Sequence, residues 1–233
     1  SEPVGQPSAG ASWSWSWSWS WVWAWACPRS MGAGANSIVE RGRGHAYEFA
    51  RNAVNEEALR KAVIATALAM NARGINRGKS GNVSARLSGA GGDGFLVTPT
   101  GLAYEDTAPE DIVPVTLAGK VLGARLPSSE WRFHRDIYRA RPDVNAVVHT
   151  HAPFATTLAC HSRGIPAFHY MVAVAGGRDI RCAPYATFGT QELSDNAIEA
   201  LDGRLACLLG QHGQISLGKT LESAFALGVE VET

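Results

Sequence analysis

The chain has 233 residues, a formal net charge of zero, 45% apolar residues and 18% charged ones. That balance excludes bulk electrostatic attraction to nucleic acid or an anionic membrane, and it fits an ordinary globular domain. No apolar run approaches the ~18 residues of a membrane helix, and four scattered cysteines, Cys27, Cys160, Cys182 and Cys207, form no C-x-x-C, which predicts reduced thiols in a cytoplasmic protein.

In chain order, the first feature is SWSWSWSWSWVWAWA at 12–26, which holds seven of the eight tryptophans. Strict alternation would line one strand face with indoles, an aggregation hazard if exposed. The segment lacks the basic lead of a signal peptide and is too short and serine-rich to span a bilayer. Residues 1–50 are therefore read as a low-complexity tail outside the fold, with Met31 a candidate initiator, and 51–233 as the domain.

From residue 55 the pattern changes. Leu59, Val63, Ile64, Ala67 and Met70 recur at helical spacing, with Asn55-Glu56-Glu57 suiting a helix start and Gly74 its end. Short extended segments follow at 82–87 (NVSARL), 94–99 (GFLVTP) and 111–117 (DIVPVTL). A helix is predicted over 128–140, a strand over 146–151 and a helix over 153–162. Strands are predicted at 168–174 (FHYMVAV) and 180–186, a hairpin at 205–218, and helices at 190–201 and 219–231. Strands and helices mix without a βαβ repeat, which predicts one largely antiparallel sheet with helices packed on it.

Chemistry concentrates at a few points. In AVVHTHAPF, His149 and His151 sit two apart, so in a strand they share a face, and Pro153 ends the strand. Paired imidazoles on one face suit a divalent metal that needs at least one more protein ligand. His212 in GQHGQIS lies at another apparent strand end beside glycine, which lets backbone pass close to a metal. His134 on a helix, His161 in a loop and His169 compete for the third place, and His45 falls in the tail. In LPSSEWRFH, helix capping alone would account for Ser128, Ser129 and Glu130. The functional reading is an anion held by first-turn N–H groups and hydroxyls, with Glu130 as general acid/base. The turns GKSGNVS (78–84) and TPTG (98–101) offer N–H donors and hydroxyls suited to phosphate, though neither matches a P-loop or dinucleotide fingerprint.

The segments GNVSARL, LVTPTGLAYED, LPSSEWRFHRDIYRARPDVNAVVHTHAPFATTLA, IPAFHYMVAVAGG, IRCAPYATFGTQEL and LLGQHGQISLG occur in an order that resembles the class II aldolase/adducin family, most nearly its fuculose-phosphate aldolase branch. The resemblance runs from about residue 57 to 232. It implies an α/β fold, a three-layer α/β/α sandwich around a mainly antiparallel sheet. It implies one Zn2+ per subunit on His149, His151 and His212, with Glu130 beside the metal as a further ligand and acid/base. Gly81 with Asn82, Thr100 with Gly101, and Ser128 with Ser129 then form the phosphate pocket. Tyr170 is implied to reach a neighbouring subunit's site in a homotetramer whose active sites lie between subunits. The implied reaction is reversible cleavage of a ketose 1-phosphate, L-fuculose 1-phosphate or a close analogue, to dihydroxyacetone phosphate and an aldehyde. The implied partner is that small sugar phosphate, with neither nucleic acid nor membrane involved.

Three departures stand out. Lys79 takes the place of a small hydroxyl residue in the phosphate loop, and Gln211 that of a histidine beside the third ligand. The chain stops at Glu232-Thr233, so the expectation is a domain without the family's C-terminal tail and its further tyrosine. The resemblance also admits other activities: pentulose-5-phosphate 4-epimerase, methylthioribulose-phosphate aldolase or dehydratase, sugar-acid phosphate decarboxylase, or a non-catalytic adducin-like interaction protein. The intact histidine set speaks against the last, and the glutamate at position 130 against the epimerases, which carry aspartate there.

Overall fold

A computed structural model describes residues 55–87 and 93–233. The tryptophan repeat, the boundary at residue 50, His45 and Cys27 lie outside the described residues. Seven strands form one sheet in the order β3-β2-β1-β4-β7-β6-β5. They are β1 (Asn82–Leu87), β2 (Gly94–Val97), β3 (Val113–Thr116), β4 (Ala146–Thr150), β5 (Arg181–Ala183), β6 (Ala206–Leu209) and β7 (Gly213–Gly218). Every neighbouring pair is antiparallel except β5–β6.

Alternation sends successive side chains to opposite faces. Val83, Ala85, Ala146, Val148 and Leu208 pack against α1 (residues 55–72), α3 (Pro153–Cys160) and α5 (Leu221–Glu232). Phe95, Val147, Ile215 and Leu217 pack on the other face against α2 (Trp131–Ala140) and α4 (Gln191–Ala200). The result is the expected three-layer α/β/α sandwich around a mainly antiparallel sheet. Thr190 caps α4 and Thr220 caps α5 through their hydroxyls. Pro153 opens α3, and the Glu232 carboxylate accepts from the N–H groups of Phe154 and Ala155, tying the end of α5 to the start of α3. Arg86 donates to the carbonyls of Tyr138, Arg141 and Val144, which fixes the last turn of α2 against the sheet.

Two expectations are corrected. The run FHYMVAV is not a strand: Tyr170–Ala175 form 3-10 turns closed by Gly176 at a φ of 89°. Its buried residues, Val172 and Ala175, are three apart, while Phe168, Tyr170 and Val174 are exposed, so burial follows a helical period despite the β-branched composition. Helix α2 starts at Trp131 rather than at Ser128, and Glu130 is its N-cap residue without a side-chain capping bond. The Glu130 carboxylate is used elsewhere. No helix among the described residues is long and apolar enough to cross a membrane.

Candidate active site and metal centre

The antiparallel pairing β1–β4–β7 brings three strand ends together in the middle of the sheet: the start of β1, the end of β4 and the start of β7. Asn82 lies opposite His149, and Thr150 opposite Gln214. His149 shares its face with Val147, toward α2, and its ring meets Phe133 edge-on. His151 follows just past the strand, and His212 stands in the β6–β7 turn. The three rings form a near-equilateral triangle, with centroids 4.9, 4.8 and 4.9 Å apart.

The donor atoms converge. The ligand nitrogens of His149, His151 and His212 all lie within 4.8 Å of one another. His149 Nε2 and His151 Nε2 are 3.0 Å apart, close to the ~3.3 Å that tetrahedral zinc–nitrogen bonds would set. The tautomer of His149 is fixed: its Nδ1 can only donate to the Gln214 carbonyl at 2.9 Å, which leaves the Nε2 lone pair facing the cluster. Burial pushes the pKa of His149 and of His212 down to about 3, with neighbouring imidazoles adding to the shift, and lowers that of His151. Neutral imidazoles with converging nitrogens, one of them with its lone pair fixed inward, suit a metal. His149, His151 and His212 therefore form a three-histidine site suited to Zn2+.

Glu130 reaches over this triangle from the start of α2. Its Oε2 accepts from Asn82 Nδ2 at 2.8 Å and lies 3.3 Å from His149 Nε2, and its Oε1 lies 3.1 Å from His212 Nε2. Oε1 is buried without a hydrogen-bond partner. Burial raises the Glu130 pKa, opposed by His212, Asn82 and His151. A buried carboxylate set against the His149 and His212 nitrogens, with one oxygen unpartnered, is an incomplete arrangement, and a divalent cation would complete it.

The predicted phosphate residues also converge. An isolated bridge between Pro99 and Pro127 pairs the two turns, with Thr100 N–H donating to Leu126 O and Ser128 N–H to Thr98 O. Lys79 Nζ donates to the Gly101 carbonyl at 2.8 Å, which draws in the third turn. Thr100, Gly101 and Ser129 are exposed, whereas Gly81, Asn82 and Ser128 are buried. Ser128 Oγ accepts from the Glu130 N–H. Tyr170 stands apart: it is 80% exposed and stacks only loosely on His169.

Of the competing histidines, His161 ends α3, exposed, and His169 caps its own turn through Met171 N–H. His134 is outside the triangle but fully buried beside Asn82. Sequence reasoning set it aside, although its position four residues after Glu130 puts both on one helix face. Gly213, read in the sequence as room for backbone beside a metal ligand, is also required by the close approach of β4. A Cβ there would collide with the Thr150 carbonyl and press on the rings of His151 and His149. Gly81 is similarly wedged against the His149 carbonyl and Asn76.

Gly213→Ala should therefore lower zinc affinity roughly 100-fold and lower the melting temperature, measured by chelator competition and thermal unfolding. Retention of full affinity would show that the turn is not held against β4. Because the imidazole pKa values fall below 6.5 on folding, the unfolded chain binds more protons below that pH. The metal-free fold accordingly loses stability as pH drops from 6.5 toward 3. At pH 6, zinc binding should release fewer than about one proton per ion, where three ordinary imidazoles would release about two. Calorimetry in buffers of different ionisation enthalpy distinguishes the two.

Known proteins share this arrangement of elements. Residues 61–233 match the family described as Class II Aldolase and Adducin N-terminal domain. The chain is 57% identical over 175 residues to the 5-methylthioribulose-1-phosphate/5-deoxyribulose-1-phosphate aldolase of Rhodospirillum rubrum, covering 75% of this chain and 77% of that one. It is 50% identical over 174 residues to the L-fuculose phosphate aldolase of Escherichia coli K12, covering 75% and 79%. A solved L-fuculose 1-phosphate aldolase superposes with a TM-score of 0.70 at 38% identity, covering 75% of this chain and 82% of that one. With its three-histidine site and its fold of the metal-dependent lyase type, the chain belongs to the class II aldolase and adducin family.

Proposed function

We propose that the protein is a zinc-dependent aldolase that cleaves a ketose 1-phosphate between C3 and C4, giving dihydroxyacetone phosphate and an aldehyde. A 5-methylthio- or 5-deoxy-pentulose 1-phosphate is the preferred substrate, ahead of L-fuculose 1-phosphate. The observation that carries the reaction type is the buried Glu130 carboxylate facing three inward-turned imidazoles. The order of substrates rests on the 57% and 50% identities to relatives named for those two activities.

Zinc on His149, His151 and His212, with Glu130 as a further ligand in its resting position, would act as a Lewis acid for the negative charge that develops across C2 and C3. The remaining work falls to the side chains. Glu130 Oε2 is engaged by Asn82, so the proton exchanged with C3 belongs on Oε1, the oxygen without a partner. Burial raises the Glu130 pKa and lets that oxygen hold a proton nearer neutrality than an exposed carboxyl would.

Asn82 uses one N–H and one lone pair on Glu130 and His134, which leaves its second N–H for a phosphate oxygen. Gly81, Thr100, Gly101, Ser128 and Ser129 supply the other N–H and hydroxyl donors. Lys79, already over Gly101, adds a cation to that cradle. Binding of the phosphate there would orient the scissile bond. Tyr170 serves the aldehyde half in a neighbouring subunit of a homotetramer. Its 80% exposure, beside Phe168 at 76% and Phe154 at 73%, supports that reading.

The direct test is chelator-sensitive release of dihydroxyacetone phosphate from 5-methylthioribulose, 5-deoxyribulose and L-fuculose 1-phosphates. The pentulose esters should show the higher kcat/KM, and a higher value for the fuculose ester would reverse the order. Glu130→Gln should lower kcat roughly 10²–10⁴-fold; release by zinc-loaded Glu130→Gln at the wild-type rate would remove Glu130 from the mechanism. Shared sites make a further prediction. Co-expressed Glu130→Gln and Tyr170→Phe chains should recover activity in roughly a quarter of hybrid sites, and no recovery would place both residues in one chain's site.

A further inference from the structure

The metal cluster and Glu130 leave one buried polar group on α2 unexplained. His134 is fully buried, stacks on Phe133 and is not among the three clustered histidines. Its Nε2 lies 2.5 Å from Asn82 Oδ1 and its Nδ1 lies 2.6 Å from Ser84 Oγ. Ser84 Oγ in turn lies 2.8 Å from the Tyr138 hydroxyl. Asn82 Nδ2 completes the series at Glu130 Oε2.

Chemistry fixes the direction of each link. An ionised carboxylate only accepts, so the Asn82 amide turns its NH2 toward Glu130 and its carbonyl toward His134. That carbonyl also only accepts, so His134 carries hydrogen on Nε2. Its Nδ1 then accepts from the Ser84 hydroxyl, and the Ser84 oxygen accepts from Tyr138. Burial keeps the ring neutral, as this arrangement requires. If the tautomer were reversed, Nε2 would face Asn82 Oδ1 lone pair to lone pair. The amide would then flip and present its oxygen to the carboxylate.

We propose that His134, held in its Nε2–H tautomer by Ser84 and Tyr138, is a positioning residue that orients the Asn82 amide and thereby pins Glu130 Oε2 beside His149, leaving Oε1 beside His212. The catalytic consequence rests on Glu130 acting as the proton carrier, as proposed above. The tautomer does not depend on it.

Ser84→Ala, which removes a single hydroxyl, tests the chain in the zinc-loaded protein. It should lower kcat roughly 10–100-fold, with zinc content unchanged. Tyr138→Phe, one bond further out, should act in the same direction with a smaller loss, and it provides a second variant if the first folds poorly. Nitrogen-15 histidine spectra should show His134 as the Nε2–H tautomer in the parent protein and a mixture of tautomers in Ser84→Ala. A merely structural role would lower the melting temperature and leave kcat per zinc-loaded site unchanged, which overturns the proposal. An Nδ1–H tautomer in the parent protein also overturns it. Failure of the parent protein to cleave any ketose 1-phosphate would sink the proposed reaction, while the nitrogen spectrum still decides the tautomer.

Discussion

The site depends on holding three neutral imidazoles, with their ligand nitrogens converging, around a carboxylate that is almost wholly out of water. Each part is unfavourable alone. Burial lowers the imidazole pKa values and raises that of Glu130. Among the described residues no lysine or arginine pairs with this set of donors, and Glu130 Oε1 is left without a hydrogen bond. A buried polar group without a partner costs roughly 1–3 kcal/mol, so the fold carries a local deficit that a divalent ion would offset. Metal binding and folding stability are thereby linked at the ends of the central strands.

Sheet register keeps the deficit in place. Asn82 opposite His149 and Thr150 opposite Gln214 put the histidine on the α2 face, where Glu130 and Phe133 await it. A one-residue slip of β4 would send His149 to the α5 face and expel it from the cluster. The flanking apolar residues oppose such a slip, since Val147 and Val148 belong to different cores. Gly213 and Gly81 then let the neighbouring backbones approach β4 more closely than any side chain would allow.

Much of this was legible in the sequence, and the limits have physical causes. The alternation in NVSARL and AVVHT gave strands close to their observed bounds, and the His-x-His spacing with a third histidine beside glycine offered the cluster that the family resemblance then singled out. FHYMVAV misled because β-branched and aromatic residues favour extended backbone, whereas burial of Val172 and Ala175 and the left-handed Gly176 favour 3-10 turns. Glu130 suited a capping role by position alone. Its true use depends on Asn82, forty-eight residues earlier, and no local rule connects them. His134 was weighed only as a metal ligand, and its partners Ser84 and Tyr138 meet it only after β1 pairs with β4 and α2 docks on that face.

The two halves of the proposed substrate differ in the same way. Everything assigned to the phosphate and to C1–C3 lies on elements that a single chain brings together: the 79–82, 98–101 and 126–130 turns, the end of β4 and the β6–β7 turn. Those residues would act alike on any ketose 1-phosphate, because that half is common to pentulose and fuculose esters. The aldehyde half is where such substrates differ. The residue assigned to it, Tyr170, sits on an exposed turn with Phe168, its ring against His169 rather than against the clustered histidines. On this reading, reaction type is written into one chain, while choice among ketose 1-phosphates is written into a surface that becomes a site only when a second copy packs against it.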